Sequence, residues 1–278
     1  MFAWYPLVRN RYAFSTRFGV SRRPSRPGSS PRSASSCLIS SCILIFYIPL
    51  LAAQPAPPSR DAGFGEAERL YADRTNLESA RRAAAIWRQA LAADSRNFEA
   101  AWKLARANYW LGGHAPESGR RAVYENGIDA GRAAVASQPN RPEGHFWIAA
   151  NMGALAESFG LRQGLKYRKT IKSELETVLR LDRAFLEGSA DRALGRWYFK
   201  VPGLFGGSHK EAEAHLRASL TYNPTSAASH FFLAELLLDD GRKEEGRAEL
   251  QKVLDAPLHP DWAPEDREFK DKARRLMK

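Results

Sequence analysis

Beyond residue 60, apolar positions recur at helical spacing and the strict alternation of a strand is missing. This periodicity, with its start and stop signals, predicts helices over 64–75, 78–93, 98–111, 119–137, 142–158, 162–181, 184–199, 209–222, 227–240, 243–255 and 264–277. Glycines stand where such helices should turn, at Gly112, Gly160, Gly206-Gly207 and Gly241. An all-α chain follows.

One block is written twice. Pro139 leads, six residues on, into His145-Phe146-Trp147-Ile148-Ala149, and Pro224 leads, six residues on, into His230-Phe231-Phe232-Leu233-Ala234. Weaker copies run from Ser95 to Trp102-Lys103-Leu104-Ala105 and from Arg183 to Ala190-Asp191-Arg192-Ala193. The four alanines are 44, 44 and 41 residues apart, a recurrence that means stacked supersecondary units. A small residue suits the place where the two helices of a unit cross closely, with Leu104, Ile148 and Leu233 as packed neighbours. Alanine and the following glycine are seven residues apart at Ala105–Gly112 and at Ala234–Gly241, but eleven at Ala149–Gly160 and thirteen at Ala193–Gly206. The middle units are therefore expected to lengthen their first helix or the turn after it, and the early unit to lengthen through Gly113–Gly119. Extra length in a regular array is where specific function usually sits.

Two resemblances rest on these residues. Ala90-Leu91-Ala-Ala-Asp94-Ser95-Arg-Asn97, repeated at Leu179-Arg-Leu-Asp182 and Leu220-Thr-Tyr-Asn-Pro224, resembles the end-of-unit pattern of the tetratricopeptide repeat. Only the interval from Pro224 to Pro257 approaches that family's period of about 34 residues, so the array is divergent. Gly195-Arg-Trp-Tyr-Phe-Lys-Val-Pro-Gly-Leu-Phe-Gly-Gly207, the 211–219 helix and the closing segment Asp261–Leu276 are similar to a subgroup of divergent repeat proteins. That subgroup includes the regulator-of-microtubule-dynamics proteins and the T components of TRAP transporters. The resemblance covers roughly residues 97–278 and implies a helical interaction or ligand-capturing protein without established catalytic residues.

Charge changes the picture only at the N-terminus. The chain carries +11 overall, but residues 1–60 hold eight arginines and no acid; the remainder has 34 Lys and Arg against 31 Asp and Glu, a balance of +3. The electrostatic footprint of a nucleic-acid binder is missing there. The basic segment runs into Cys37–Ala53, whose last part is nearly all apolar, the order of regions in an export signal with cleavage after Ala53. A short signal anchor over 37–53, an organelle transit peptide and a mis-assigned start site are the alternatives. Residues 54–62 read as a proline-rich spacer and 63–278 as the repeat domain. Both cysteines lie in the leader, which leaves the mature chain without a thiol nucleophile or disulfide.

Candidate chemistry is sparse. Gly203-Leu-Phe-Gly-Gly-Ser-His-Lys210 lacks the Gly-Lys-Ser/Thr of a phosphate loop; Ser208 and Glu211 instead have capping-box spacing. The histidines lack metal-ligand spacing, and the repeat equivalence of His145 and His230 points to packing. No catalytic residue, cofactor or metal is expected. In the repeat family the first helix of each unit lines the concave face. Carried over by the alanine register, this implies a groove of Trp102, Tyr109, Phe146, Trp197 and Phe231 with Arg106 and Glu235 as polar handles, and Asn151 and Tyr198 nearby. The alternative is that aromatics such as Phe146, Trp147 and Phe231 fill the inter-helix core.

The expected fold is a right-handed α-solenoid of about five helix pairs, capped by a C-terminal helix over 264–277. The expected function is a non-enzymatic interaction module or scaffold that binds a protein or peptide along its concave face. It would be periplasmic or otherwise extracytoplasmic after signal cleavage, or membrane-anchored through residues 37–53, with membrane contact only through that segment. A carrier of a small hydrophobic ligand is the alternative.

Overall fold

A computed structural model describes the backbone over residues 60–278 and side chains from residue 64; the expected leader lies outside the described residues. Among the described residues eleven α-helices follow one another: α1 (Arg60–Ala72), α2 (Leu77–Ala93), α3 (Phe98–His114), α4 (Glu117–Ser137), α5 (Pro142–Ser158), α6 (Leu161–Leu181), α7 (Phe185–Lys200), α8 (His209–Tyr222), α9 (Ala227–Asp239), α10 (Lys243–Asp255) and α11 (Ala263–Met277). Consecutive helices pack as five pairs stacked into an all-α solenoid, with α11 as a single last helix. α1 begins at Arg60, inside the stretch expected as spacer.

Short polar side chains cap α2, α3, α8 and α9. Asn97 Oδ1 accepts from Ala100 N at 3.0 Å, Ser226 Oγ from Ser229 N at 3.3 Å, and Ser208 Oγ from Glu211 N at 3.3 Å, the capping geometry its spacing announced. Gly160, Gly206 and Gly241 occupy turns with positive φ. Gly112 does not: α3 runs through it to His114, and a Cβ there would lie 2.4 Å from the Tyr124 ring. Its missing side chain admits α4, and the early unit's extra length lies in α4 rather than in a turn. α4 and α6 are 21 residues each, against 14 for α8 and 13 for α10, so much of the added length sits in second helices.

First helices inside the stack are buried nearly all round, since they touch both neighbours: every residue of α5 from Gly144 to Ala156 is buried, whereas the end helix α1 buries only Ala67 and Tyr71 among its described side chains. Second helices bury one stripe, as α6 does with Ile171, Leu175 and Val178. The repeated alanines Ala105, Ala149, Ala193 and Ala234 all lie in the core, and a Cβ on Gly246 of α10 would approach the Ala234 carbonyl to 3.3 Å. The repeated histidines make the same bonds in their two units. His145 joins Pro139 O (2.9 Å) to Glu174 (2.6 Å), and His230 joins Pro224 O (2.8 Å) to Glu249 (2.5 Å). Each fastens the first turn of its unit to the second helix.

Candidate functional site

α11 is more than a cap. It packs on α10 and α9 and reaches the end of α3 and the α1–α2 turn through single side chains. Phe269 packs on Phe231 and Phe232 of α9, each ring 5.4 Å away. Glu268 meets His114, at the end of α3, at 2.9 Å, and Glu265 meets Arg74, between α1 and α2, at 2.5 Å. The chain's own C-terminal helix therefore occupies part of the surface on which a partner was expected, at α9.

What it leaves open is a cavity of about 470 Å³ bounded by α1, α3, α5, the start of α7 and the segment leading into α11. Tyr71, Trp102, Trp147, Phe185 and Trp262 give it aromatic walls. Arg106 is its polar centre. The Arg106 guanidinium carbon stands 4.2 Å from the Tyr71 ring and 5.1 Å from that of Trp102, and Nη2 donates to Glu68 at 2.8 Å. Burial would raise the pKa of Glu68, but the Arg106 charge and the bonds from Lys103 and Arg106 hold it below its usual value. Glu68 also has Lys103 at 2.7 Å, so it stays paired whatever Arg106 does. Such a site offers stacking surface and the oriented Arg106 guanidinium to an incoming chain, with Arg74, Arg267, Glu143 and Asp261 also on its lining.

Of the residues expected to form the groove, only Trp102 and Arg106 line this cavity. Tyr109 is buried against Trp147 at 5.7 Å, and Phe146 against Trp147 and Phe185 at 5.1 and 5.6 Å. Asn151 is sealed between helices, donating to Ala105 O at 3.0 Å and Trp147 O at 2.8 Å. Trp197 is turned to α6, donating to Arg168 O at 2.9 Å, and Tyr198 stacks on His215 of α8 at 5.5 Å. Phe231 is under α11. Glu235 pairs with buried Arg196 at 2.5 Å, and Arg196 also faces Glu157 at 3.6 Å. Burial drives the Glu157 carboxyl well above its usual range, against the pull of Arg196. The stripe read from the alanine register is thus divided among the core, the α11 seat and one open end.

Two features escaped the sequence reading. Leu186, Glu187 and Gly188 form a left-handed turn (φ 44, 56 and 74) at the start of α7, a costly conformation for the first two, and Leu186 lines the cavity. Arg192 is buried at 2% exposure. The signal for it was present: Arg192 holds the register position filled by Leu104, Ile148 and Leu233 in the other units. Among the described residues, His209, Asp239 and Asp240 alone approach the geometry of a metal site; all three are exposed, with His209 Nδ1 2.5 Å from Asp240.

Comparison with known proteins agrees with this architecture. The family model described as Regulator of microtubule dynamics protein 1-3 matches residues 64–278. Among solved structures, a thermophilic TPR protein of Thermus thermophilus is similar with a TM-score of 0.58 and 23% identity, over 78% of this chain and 98% of that one. MamA is similar with a TM-score of 0.45 and 15% identity, over 72% of this chain and 95% of that one. The likeness to the Thermus protein is one of fold. No curated protein matches the chain in sequence.

Proposed function

The chain belongs to the regulator of microtubule dynamics protein 1-3 family, and on that premise we propose that it is a non-enzymatic interaction module that captures a protein or peptide segment in the Trp102–Arg106 cavity. The single observation behind this reading is that α11 seats on α9 and ties to α3 and the α1–α2 turn, while the end at Trp102 and Arg106 stays open, aromatic and carrying an oriented guanidinium. Aromatic walls with the fixed Arg106 guanidinium suit a short segment presenting an apolar side chain beside a carboxylate or a main-chain carbonyl. Delivery is part of the proposal: residues 1–53 act as an export signal or anchor and 54–62 as a spacer, placing the repeat domain outside the cytoplasm or at a membrane surface. Among the described residues no helix is long and apolar enough to cross a membrane. Crosslinking through a photoreactive group at position 102 in the native cell tests the reading. A discrete adduct lost on Arg106→Gln supports it; no adduct above that of a convex-face control position opposes it.

A second reading is favoured by the same closure. With α11 seated, the inner face is a pocket rather than a continuous trough, as a carrier of a small hydrophobic ligand would need, in the manner suggested by the resemblance to T components. Native mass spectrometry of the freshly purified chain separates the two, since a carrier retains a small molecule.

A further inference from the structure

We propose that Arg192 anchors a second site, adjoining the first at Leu186, Pro260 and Trp262, that binds the carboxylate of a small organic acid. Arg192 does not line the Trp102–Arg106 cavity, so its anchoring role does not rest on what that cavity binds. It borders a neighbouring cleft of about 260 Å³ formed by the start of α7, the α8–α9 turn and the segment before α11. Only 2% of Arg192 is exposed, yet among the described residues its Nε and Nη2 meet no hydrogen-bond acceptor and no carboxylate lies within ion-pair distance. Arg183, Arg196, Arg74 and Arg106 all have such partners. Leaving a buried guanidinium unpaired is costly, and its pKa is pushed down to about 10 by burial. A ligand that neutralises it recovers that cost.

The cleft specifies the ligand further. α9 opens on it through Ser226 and Ala227, which adds the positive end of a helix dipole. A guanidinium at the cleft wall offers a carboxylate a charge-assisted hydrogen bond. Glu187 and Asp266 stand on the same lining and oppose any anion, a dianion such as phosphate more strongly than a single carboxylate. Glu187 is bonded to Asn223 at 2.6 Å and His259 at 3.2 Å, and Asp266 accepts from His259 N at 2.8 Å; both charges act on Arg192, but neither makes a hydrogen bond to it. Leu186, Pro257, Leu258 and Trp262 supply apolar wall for a hydrocarbon body. The left-handed turn at Leu186–Gly188 holds that wall and the Glu187 brace in place.

The test titrates the full chain with hexanoate, using hexanol and inorganic phosphate as controls, by calorimetry and thermal shift. Hexanoate is expected to bind and raise the melting temperature, with hexanol and phosphate inert. Arg192→Met is expected to melt at or above the parent, since an unpaired buried charge is removed, and to lose about tenfold or more in affinity. Arg192→Lys, which keeps the charge but not the guanidinium, is expected to bind several-fold more weakly. Equal hexanoate binding by parent and Arg192→Met, tighter binding of phosphate than of hexanoate, or no binding of any straight-chain acid from acetate to octanoate would overturn the proposal. A loss of folding in Arg192→Met would also count against it, because the guanidinium would then be held by the fold and not kept for a ligand.

Discussion

Arg74 and Glu265, 191 residues apart in the chain, form a doubly hydrogen-bonded ion pair: Nη2 to Oε2 at 2.5 Å and Nε to Oε1 at 2.9 Å, with side chains 4% and 5% exposed. Arg74 is further held by Asp261 O at 2.7 Å and sits 5.1 Å from the Tyr71 ring. The bond fastens the last helix of the array to its first unit. Removing one partner strands the other charge in the interior, so Glu265→Ala is expected to cost about 3–5 kcal/mol in chemical denaturation. Arg74→Met combined with Glu265→Leu should recover most of that loss. A Glu265→Ala protein as stable as the parent would show that α11 is not seated there.

The second tie of α11 is pH-dependent. Burial alone would lower the pKa of His114, but its bonds to Glu268 and to Trp110 O outweigh burial and hold it above the ordinary value of about 6.5. A raised folded-state pKa gives stability that is complete below the unfolded value and is lost as pH rises through the folded one. Glu268 has the opposite sign. Burial would raise it, His114 holds it below the usual carboxylate range, and its share is lost as pH falls through that depressed value. Urea midpoints should therefore form a plateau between the carboxylate and imidazole ranges, and His114→Gln should flatten the alkaline limb. An unchanged alkaline limb in that variant would refute the tie.

Close helix approach makes a sharper prediction at Gly127. A methyl group there would stand 2.2 Å from Asn151 Oδ1, whose amide bonds to Ala105 O across the α3–α5 contact. Gly127→Ala is expected to cost about 1–3 kcal/mol by overpacking. Gly119→Ala, on the same helix with nothing within 4 Å, should be neutral or stabilising by about 0.5–1 kcal/mol. Equal midpoints for the two variants would contradict the packing described.

Trp197 and Phe231 illustrate how a groove residue and a core residue separate. Both are 4% exposed, Trp197 bonded to Arg168 O and Phe231 packed on Phe269. Trp197→Ser and Phe231→Ser should each destabilise by about 3–5 kcal/mol, so lost binding in either would report unfolding. Melting curves indistinguishable from the parent's would return these side chains to a binding face.

The helices were legible because each first helix repeats its apolar block in a fixed register, and the start and stop residues stand at helix ends. The role of His145 and His230 as equivalents was legible for the same reason. The seat of α11 was not. Its partners Arg74 and His114 are single polar residues more than 150 positions away, with no periodic signature. Nor could spacing separate groove from core, since an aromatic at a helical interval has the same pattern in both; burial alone divides Trp102 and Arg106 from Tyr109, Phe146, Trp197 and Phe231. Gly112 misled because a glycine near a helix end signals a turn, whereas here it makes room for Tyr124.

Capture through the open end of the inner face is the central claim. The direct measurement is a quantitative crosslinking pull-down from the native cell with the parent and a Trp102→Ala, Arg106→Gln double variant, each checked by thermal melting. Glu68 retains Lys103 as partner, so the variant should fold. The expected result is loss of the parent's specific partner at unchanged melting behaviour. Retention of that partner at the parent's level by a folded double variant would contradict it.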